Sequence, residues 1–210
     1  MDWAVLWDYR QVLIDGLGLT VALSAVAIGG SFVLGTTLGC IGSLPGFVAR
    51  RSVDTYVEAM RNVPVVAKLF FLYFVLGFDA IPAGLIALVS HQSAYIADVV
   101  ASGFRTVPRE QSEAAWSQGL ARHEVFVWVL LPQVFRTIMP PLTSQFIEVV
   151  KNSSVIMLIG VQEMTFQTQH IEHQTFRGFE AATAVTVLYL VLALAIALAM
   201  TGLQRRFFGG

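Results

Sequence analysis

The chain has 210 residues, of which 56% are hydrophobic and only 13% are charged, and its formal net charge at pH 7 is -1. Together with a mean hydropathy of +0.69, this composition excludes an ordinary soluble globular domain and favours a single all-α integral membrane domain over residues 1–210. The near-neutral charge carries no sign of a nucleic-acid partner. The single Cys40 cannot form an internal disulfide, and its apolar surroundings are typical of a buried cysteine.

The first fifteen residues carry Trp3, Trp7 and Tyr9 among acidic side chains. This pattern is typical of a short interfacial helix whose rings lie at the lipid headgroups, and a frayed polar terminus is the alternative. Residues 16–43 form the first predicted membrane span. Gly35 and Gly39 stand four residues apart in it, which predicts close approach of another helix.

The second predicted span, residues 53–78, is interrupted by Arg61, Pro64 and Lys68. Proline removes a backbone hydrogen bond, so we expect a kinked helix beside a cavity, with the freed carbonyl satisfied by water or by a neighbouring helix.

The third predicted span, residues 83–104, has a polar stripe at helical spacing. Its members are His91, Tyr95, Asp98 and Ser102. Side chains at these intervals share one face of an α-helix, and we expect that face to point into the protein rather than at lipid.

The fourth predicted span, residues 138–161, is entered through Pro140 and Pro141. Gln145, Glu148, Asn152 and Val155 form one stripe, and Lys151 follows Glu148 at a spacing that permits an ion pair. Charges at membrane depth are costly unless compensated, so this pair is expected to be internal and functional. The last span, residues 180–203, is nearly all aliphatic and predicts contact with membrane lipid and packing.

Five spans place the two termini on opposite sides of the membrane. The arginines fall mainly on one side: Arg50, Arg51, Arg105, Arg109, Arg122, Arg136, Arg205 and Arg206, against Arg10 and Arg177 on the other. The positive-inside rule therefore predicts an external N-terminus and a cytoplasmic C-terminus. His170 and His173 lie in the external connection 162–179, but they lack a third ligand and no metal site is expected.

A long charged interruption, residues 104–132, separates the third and fourth spans and is expected to lie in the cytoplasm. Its pattern predicts two short helices. The first starts at Glu113 and ends at Gly119, and the second runs from His123 to Leu131, where Pro132 is expected to stop it.

The residues Glu113-Ala114-Ala115, Gly119 and Leu131-Pro132 carry a specific spacing. It resembles the EAA motif of permease subunits in binding-protein-dependent ABC importers, with Val129 where that pattern usually has isoleucine. Residues 56–74, 94–115 and 131–165 also resemble the polar amino acid branch of these permeases, in which glutamate is common at the position of Asp98.

This resemblance implies the type I ABC importer permease fold in a bacterial inner membrane, with the motif forming a coupling helix. It implies as partners ABC ATPase subunits, a second permease subunit that is the same or homologous, an external solute-binding protein and an amino acid substrate. The chain lacks a phosphate-binding G-x-x-x-x-G-K-[ST] loop, so we expect no enzyme activity and no cofactor here, with ATP and Mg²⁺ held by the partner ATPase.

An amino acid brings one carboxylate and one ammonium, which paired opposite charges in a membrane cavity can match. The candidate substrate-pathway residues are Arg61, Asp98, Gln145, Glu148, Lys151, Asn152 and Ser153. Two alternatives remain open: the pairs Glu148–Lys151 and Asp98–Arg61 hold the bundle together structurally, or the chain is a gradient-driven transporter or channel with Asp98, His91 and Glu148 as a proton relay. A purely structural membrane anchor is a third, less favoured reading because of the embedded charges.

Overall fold

A computed structural model describes residues 3–44 and 46–208, and these residues form helices and short connections with no β-strand. The helices are α1 (Ala4–Asp8), α2 (Arg10–Ser43), α3 (Phe47–Asn62), α4 (Val65–Phe70), α5 (Ala80–Thr106), α6 (Arg109–Ser117), α7 (Arg122–Glu124), α8 (Leu131–Ser153), α9 (Met164–Thr175) and α10 (Gly178–Phe208). Two π-helical segments, Phe71–Val75 and Val125–Leu130, follow α4 and α7, and a 3₁₀ segment, Ser154–Ile159, follows α8. Residues 1 and 2 of the predicted interfacial helix lie outside the described part, and α1 is the short helix within the rest.

Within the described ranges, four helices are long and apolar enough to cross a membrane. They are Arg10–Ser43, Ala80–Thr106, Arg122–Ile159 and Gly178–Phe207. They correspond to the first, third, fourth and fifth predicted spans. Each begins before the predicted start, because apolar composition marks the lipid-embedded part rather than the helix ends, and the fourth ends two residues before the predicted limit.

The predicted second span, residues 53–78, is not one helix. α3 ends at Asn62, Val63 and Pro64 are extended, and the chain resumes as a short apolar helix over Val65–Val75. The interruption predicted at Pro64 is therefore confirmed, but it separates two helices instead of kinking one.

The prediction that Pro132 stops a helix is wrong. The chain is helical from Arg122 to Ile159, and Pro132, Pro140 and Pro141 all lie inside this long helix. The π-helical turn Val125–Leu130 ends two residues before Pro132. Its wider ring relaxes the α-helical register at the point where proline lacks an N–H and its ring would clash with the preceding turn.

The most extensive packing in the fold joins α2 to α5. A Cβ added to Gly35 would lie 2.7 Å from the Ser93 carbonyl oxygen, and one added to Gly39 would lie 2.6 Å from the Val100 Cβ. Only glycine permits this approach, so the predicted close contact at Gly35 and Gly39 is confirmed. The adjoining core contains Leu23, Ala27, Leu69, Leu88, Val149 and Ile156.

The connection predicted over residues 162–179 contains a helix that the sequence did not indicate. α9 packs against α2 and α10, and Met164 and Ile171 on it are fully buried. Trp3 contacts Phe179 edge-to-face, with ring centroids 6.4 Å apart. The N-terminal aromatic residues and the α9–α10 turn therefore share one end of the molecule.

Candidate functional site

The polar stripe predicted on α5 is a connected face that meets α3. His91 and Tyr95 contact each other edge-to-face at 5.1 Å, and the Arg61 guanidinium of α3 lies 5.1 Å from the centre of the Tyr95 ring. Arg61 Nη1 also lies 2.7 Å from Asp98 Oδ2, and Arg105 donates to Ser102. This face of α5 is directed at the broken helix α3–α4. The polar stripe predicted such a face, which points into the protein rather than at lipid.

A second charged pair lies on α8. Lys151 Nζ is 3.0 Å from Glu148 Oε2, and the two side chains are 61% and 47% exposed within the single chain. The predicted pair is present, but it is more open than the internal pair that we expected. Since both residues belong to one helix, the pair does not join two elements.

One hydrogen bond links the polar faces of α5 and α8. Gln92 Nε2 donates to Gln145 Oε1 at 2.6 Å, and Gln92 is almost fully buried. The predicted Gln145 therefore lies beside α5, and it fixes the separation of the two helices that carry Asp98 and Glu148.

The remaining two predicted pathway residues lie in different surroundings. Asn152 is half-buried. Ser153 is fully buried and its hydroxyl donates to the Val150 carbonyl of its own helix. Contact between Ser153 and a substrate stays a prediction, and it would require a change of conformation.

Two grooves open beside the charged residues. The smaller, of about 190 Å³, lies between α5 and α8 and is lined by Asp98, Val99, Ser102, Gly103, Thr106, Thr137, Ile138 and Pro141. The larger, of about 340 Å³, lies between α8, α9 and α10 and is lined by Lys151, Ser154, Thr165, Thr168, Ala182, Val185, Thr186 and Tyr189. Each groove therefore has one member of a charged pair in its wall.

The segment predicted as a coupling loop forms a compact helix–turn–helix. α6 begins at Arg109, four residues before the predicted start, because Pro108 occupies its N-terminal flank with a proline-compatible φ of -60°. Glu113 and Ala114 are exposed, whereas Ala115 is buried. Gly119 has φ +88°, and the Leu120 N–H donates to the Ala115 carbonyl at 3.3 Å. The predicted glycine end of this helix is confirmed.

Leu131 and Pro132, the last residues of the motif, lie in the first turn of α8. A side-chain hydrogen bond from Gln133 to Gln111 joins this turn to α6. Phe104 and Phe126 stack with their centroids 5.3 Å apart, so the end of α5 is fixed against the start of the long fourth helix. α6 is thus joined to the start of the long fourth helix, which in turn contacts the end of α5.

A buried carboxylate that the sequence analysis missed lies at the other end of the long helix. Glu163 is fully buried; its Oε2 accepts from the Tyr189 hydroxyl at 2.8 Å and the Thr20 hydroxyl at 3.3 Å, and its Oε1 accepts from the Phe166 N–H at 2.9 Å. Burial raises the pKa of the Glu163 carboxyl, while the hydrogen bonds from the Tyr189 hydroxyl and the Phe166 N–H act against the shift. This residue caps α9 and joins it to α2 and α10.

Across residues 3–44 and 46–208, no group of three or more histidine, cysteine, aspartate or glutamate side chains is arranged to hold a metal ion.

Several long apolar helices, charged faces on α5 and α8, and a helix–turn–helix joined to both spans define a helical membrane protein of the transporter class. Residues 31–209 match the family model described as "Binding-protein-dependent transport system inner membrane component". The chain is 31% identical over 212 residues to the glutamine transport system permease protein GlnP of Escherichia coli (strain K12), covering 98% of this chain and 97% of that protein. It belongs to this family of binding-protein-dependent permease subunits.

A second relative is the probable glutamine ABC transporter permease protein GlnM of Bacillus subtilis (strain 168), 31% identical with 98% of both chains covered. Among solved structures, one described as "Crystal structure of an amino acid ABC transporter with histidines" matches with a TM-score of 0.89 and 26% identity, covering 98% of this chain and 99% of that one. An inward-facing MetNI methionine ABC transporter structure matches with a TM-score of 0.82 and 20% identity, covering 99% of both chains. The fold is that of the type I ABC importer permeases, and such subunits are non-catalytic.

Proposed function

We propose that this subunit conducts polar amino acids through a bacterial inner membrane, driven by ATP that a partner subunit hydrolyses. The relatives' names support the substrate class, since both are glutamine permeases or probable glutamine permeases. The charged faces of α5 and α8 support the pathway, because an amino acid carries one group of each charge and these helices present both charges.

The exposure of the charged pairs is the observation that carries the proposal. Arg61 and Asp98 are 42% and 43% exposed within the chain, and Lys151 is more exposed still. Both members of the Glu148–Lys151 pair belong to one helix, so the pair cannot tie two elements of the bundle together. A structural role therefore explains Glu148 and Lys151 less well than contact with a zwitterionic substrate does.

Coupling to ATP hydrolysis is assigned to α6 and the following turn. α6 is short, polar and exposed, and it presents Glu113 and Ala114 outward while Ala115 packs inward. In this arrangement α6 faces the cytoplasm and seats on an ABC ATPase, the N-terminus is external, and a solute-binding protein delivers substrate to the opposite end. A second permease subunit, identical or homologous, completes the complex.

The test is substrate uptake by proteoliposomes that contain the whole complex with its binding protein. Lys151→Met removes the ammonium but keeps the side-chain length. We expect uptake to fall by at least about tenfold, a loss of one charge-assisted contact, with the ATPase subunit still bound. Arg206→Met is the matched control, since it removes an exposed cation near the end of α10 and should leave uptake unchanged.

Three results would contradict the proposal. Normal uptake by Lys151→Met would remove this residue from the pathway, and loss of the assembled complex would show that the pair is structural. Purification of the wild-type chain without any nucleotide-binding subunit, combined with uptake that needs only an ion gradient, would favour the proton-relay alternative through Asp98, His91 and Glu148.

A further inference from the structure

The break between α3 and α4 leaves backbone carbonyls in the last turn of α3 without their usual partners, and that of Met60 is one of them. In a continuous α-helix, the Met60 carbonyl would accept the N–H of the fourth residue along, which is Pro64. Proline has no N–H. Val63 and Pro64 are extended, with ψ of 125° and 144°, so the last turn of α3 has no following helical turn to supply a donor.

The Lys68 side chain reaches back across this break. The Lys68 Nζ lies 2.7 Å from the Met60 carbonyl oxygen. The backbone N–H of Lys68 donates separately to the Pro64 carbonyl at 3.2 Å, in the first turn of α4. The lysine ammonium therefore occupies the place of the missing backbone donor. It spans the break from the helix that follows to the helix that precedes.

His91 on α5 holds the ammonium in this position. Lys68 Nζ lies 2.8 Å from His91 Nδ1. A charged ammonium only donates, so we assign His91 Nδ1 as the acceptor and place the ring proton on Nε2. The other contact of His91 Nδ1, with the Met60 carbonyl, is 3.4 Å long and does not compete.

This set of contacts determines where Arg61 lies. Arg61 directly follows Met60, and its guanidinium reaches Tyr95 and Asp98 on the same face of α5 that carries His91. Fixing the Met60 carbonyl relative to His91 therefore fixes Arg61 relative to Asp98.

The charged and titratable groups around His91 come from four helices. Lys68 approaches from α4, Arg61 reaches the neighbouring Tyr95 ring from α3, Asp98 follows on α5, and Glu148 acts on the ring from α8. A second positive charge on the ring would repel Lys68 and would remove its acceptor.

We infer that Lys68 is a positioning residue of the pathway. It replaces the hydrogen bond that Pro64 removes and holds α3 at the angle that brings Arg61 to Asp98. Neutral His91 keeps Lys68 in place by accepting a hydrogen bond from its ammonium. This inference rests on the proposed transport function only for its uptake readout. The distance measurement below stands without it.

A double-mutant cycle between Lys68 and Pro64 tests the replacement directly. Lys68→Met keeps most of the side chain and removes the donor, and we expect uptake to fall about tenfold, as for loss of a hydrogen bond from a charged group. Pro64→Ala restores an N–H and allows residues 63 and 64 to become helical, so that this N–H can reach the Met60 carbonyl. In the Pro64→Ala background, Lys68→Met should therefore lower uptake by at most about twofold. An equal loss in both backgrounds would overturn the inference.

Spin labels give a readout that does not depend on transport. Cysteines at the exposed residues Ser52 on α3 and Ile81 on α5, in a Cys40→Ala background of the whole complex, report the distance between the two helices. We expect a broader distance distribution with Lys68→Met and recovery when Pro64→Ala is added. An unchanged distribution with Lys68→Met would overturn the inference even if uptake fails.

A change of pH tests whether neutral His91 holds Lys68 in place. On acidification through the range where imidazole titrates, the wild-type distance distribution should broaden, and that of His91→Gln should not, because the amide oxygen still accepts and cannot become cationic. Broadening of equal extent in the wild type and in His91→Gln would show that His91 does not hold Lys68 in place.

Discussion

Arg61 Nη1 lies 2.7 Å from Asp98 Oδ2, and this ion pair joins the end of α3 to the charged face of α5. Arg105 Nη2 is 3.9 Å from the other carboxylate oxygen of Asp98. The Asp98 carboxylate therefore pairs with two guanidinium groups, one at each of its oxygens. Removing its charge leaves both guanidinium groups without this carboxylate partner.

Asp98→Asn is expected to lower uptake by at least about tenfold while the complex still assembles. Asn keeps the shape of the side chain and one accepting oxygen, so the Tm of the complex should change less than uptake does. Asp98→Glu keeps the charge and should retain most of the uptake. Proteoliposome uptake and thermal unfolding in detergent measure the two quantities.

Asp54→Asn provides the control for Asp98, because it breaks an exposed pair with Arg50 at 3.9 Å on one helix. Uptake should be unaffected. Wild-type transport by Asp98→Asn would show that α5 does not need this charge.

Gly35→Ala tests the close packing of α2 on α5. The added methyl would lie 2.7 Å from the Ser93 carbonyl oxygen and the Ile96 Cβ, neither of which can move without shifting a helix. We expect destabilisation of about 1–3 kcal/mol, measured as a lower Tm of the purified complex.

Gly29→Ala on the same helix is the matched control, since its added methyl would meet nothing within 4 Å. It should be neutral or stabilise by up to about 1 kcal/mol through the better helix propensity of alanine. Equal effects of Gly35→Ala and Gly29→Ala would show that helix propensity, not interhelical contact, governs these positions.

The apolar runs predicted the long helices because a helix in lipid must satisfy its own backbone and cover it with about 20 apolar residues. The two ion pairs considered from the sequence, Glu148–Lys151 and Asp98–Arg61, are both present. The first follows from helical spacing. The Asp98–Arg61 pair forms if the broken second span, which carries Arg61, lies beside the polar stripe of the third span.

Rules about single residues were less reliable than the apolar pattern. Pro132 was expected to end a helix, but the preceding π-helical turn lets the helix continue. The apolar run Val125–Leu130 is equally compatible with an α-helix and with the wider turn, so the local sequence does not distinguish these outcomes. Glu163 was missed for a similar reason: its donors Thr20 and Tyr189 are distant in sequence and meet only in the folded bundle.

Gly119 adopts φ +88°, a conformation that side chains other than asparagine and aspartate rarely accept. Gly119→Ala has open space for its methyl, so its cost comes from the backbone alone, roughly 1 kcal/mol or more. We expect the turn after α6 to change shape and substrate-stimulated ATP hydrolysis to fall. Gly119→Asn should be milder. If both variants stimulate the ATPase normally, α6 does not transmit the coupling.

Glu163 provides a pH dependence with a defined sign. Burial raises the pKa of its carboxyl above the ordinary value of about 4.3, so the folded state holds the proton more tightly than the unfolded state does. The resulting stabilisation is complete below about pH 4.3 and is lost as pH rises through the folded-state pKa. An amide at this position does not titrate.

The Tm of Glu163→Gln minus that of the wild type should therefore become more positive from pH 5 to pH 8, measured on the purified complex in one detergent. Glu172→Gln, which alters an exposed carboxylate on the same helix α9, is the control. A constant or decreasing difference for Glu163→Gln would mean that Tyr189, Thr20 and the Phe166 N–H stabilise the charged carboxylate enough to outweigh its burial. In that case the same contacts that cap α9 would favour ionised Glu163, and acid, rather than alkali, would weaken the junction of α2, α9 and α10.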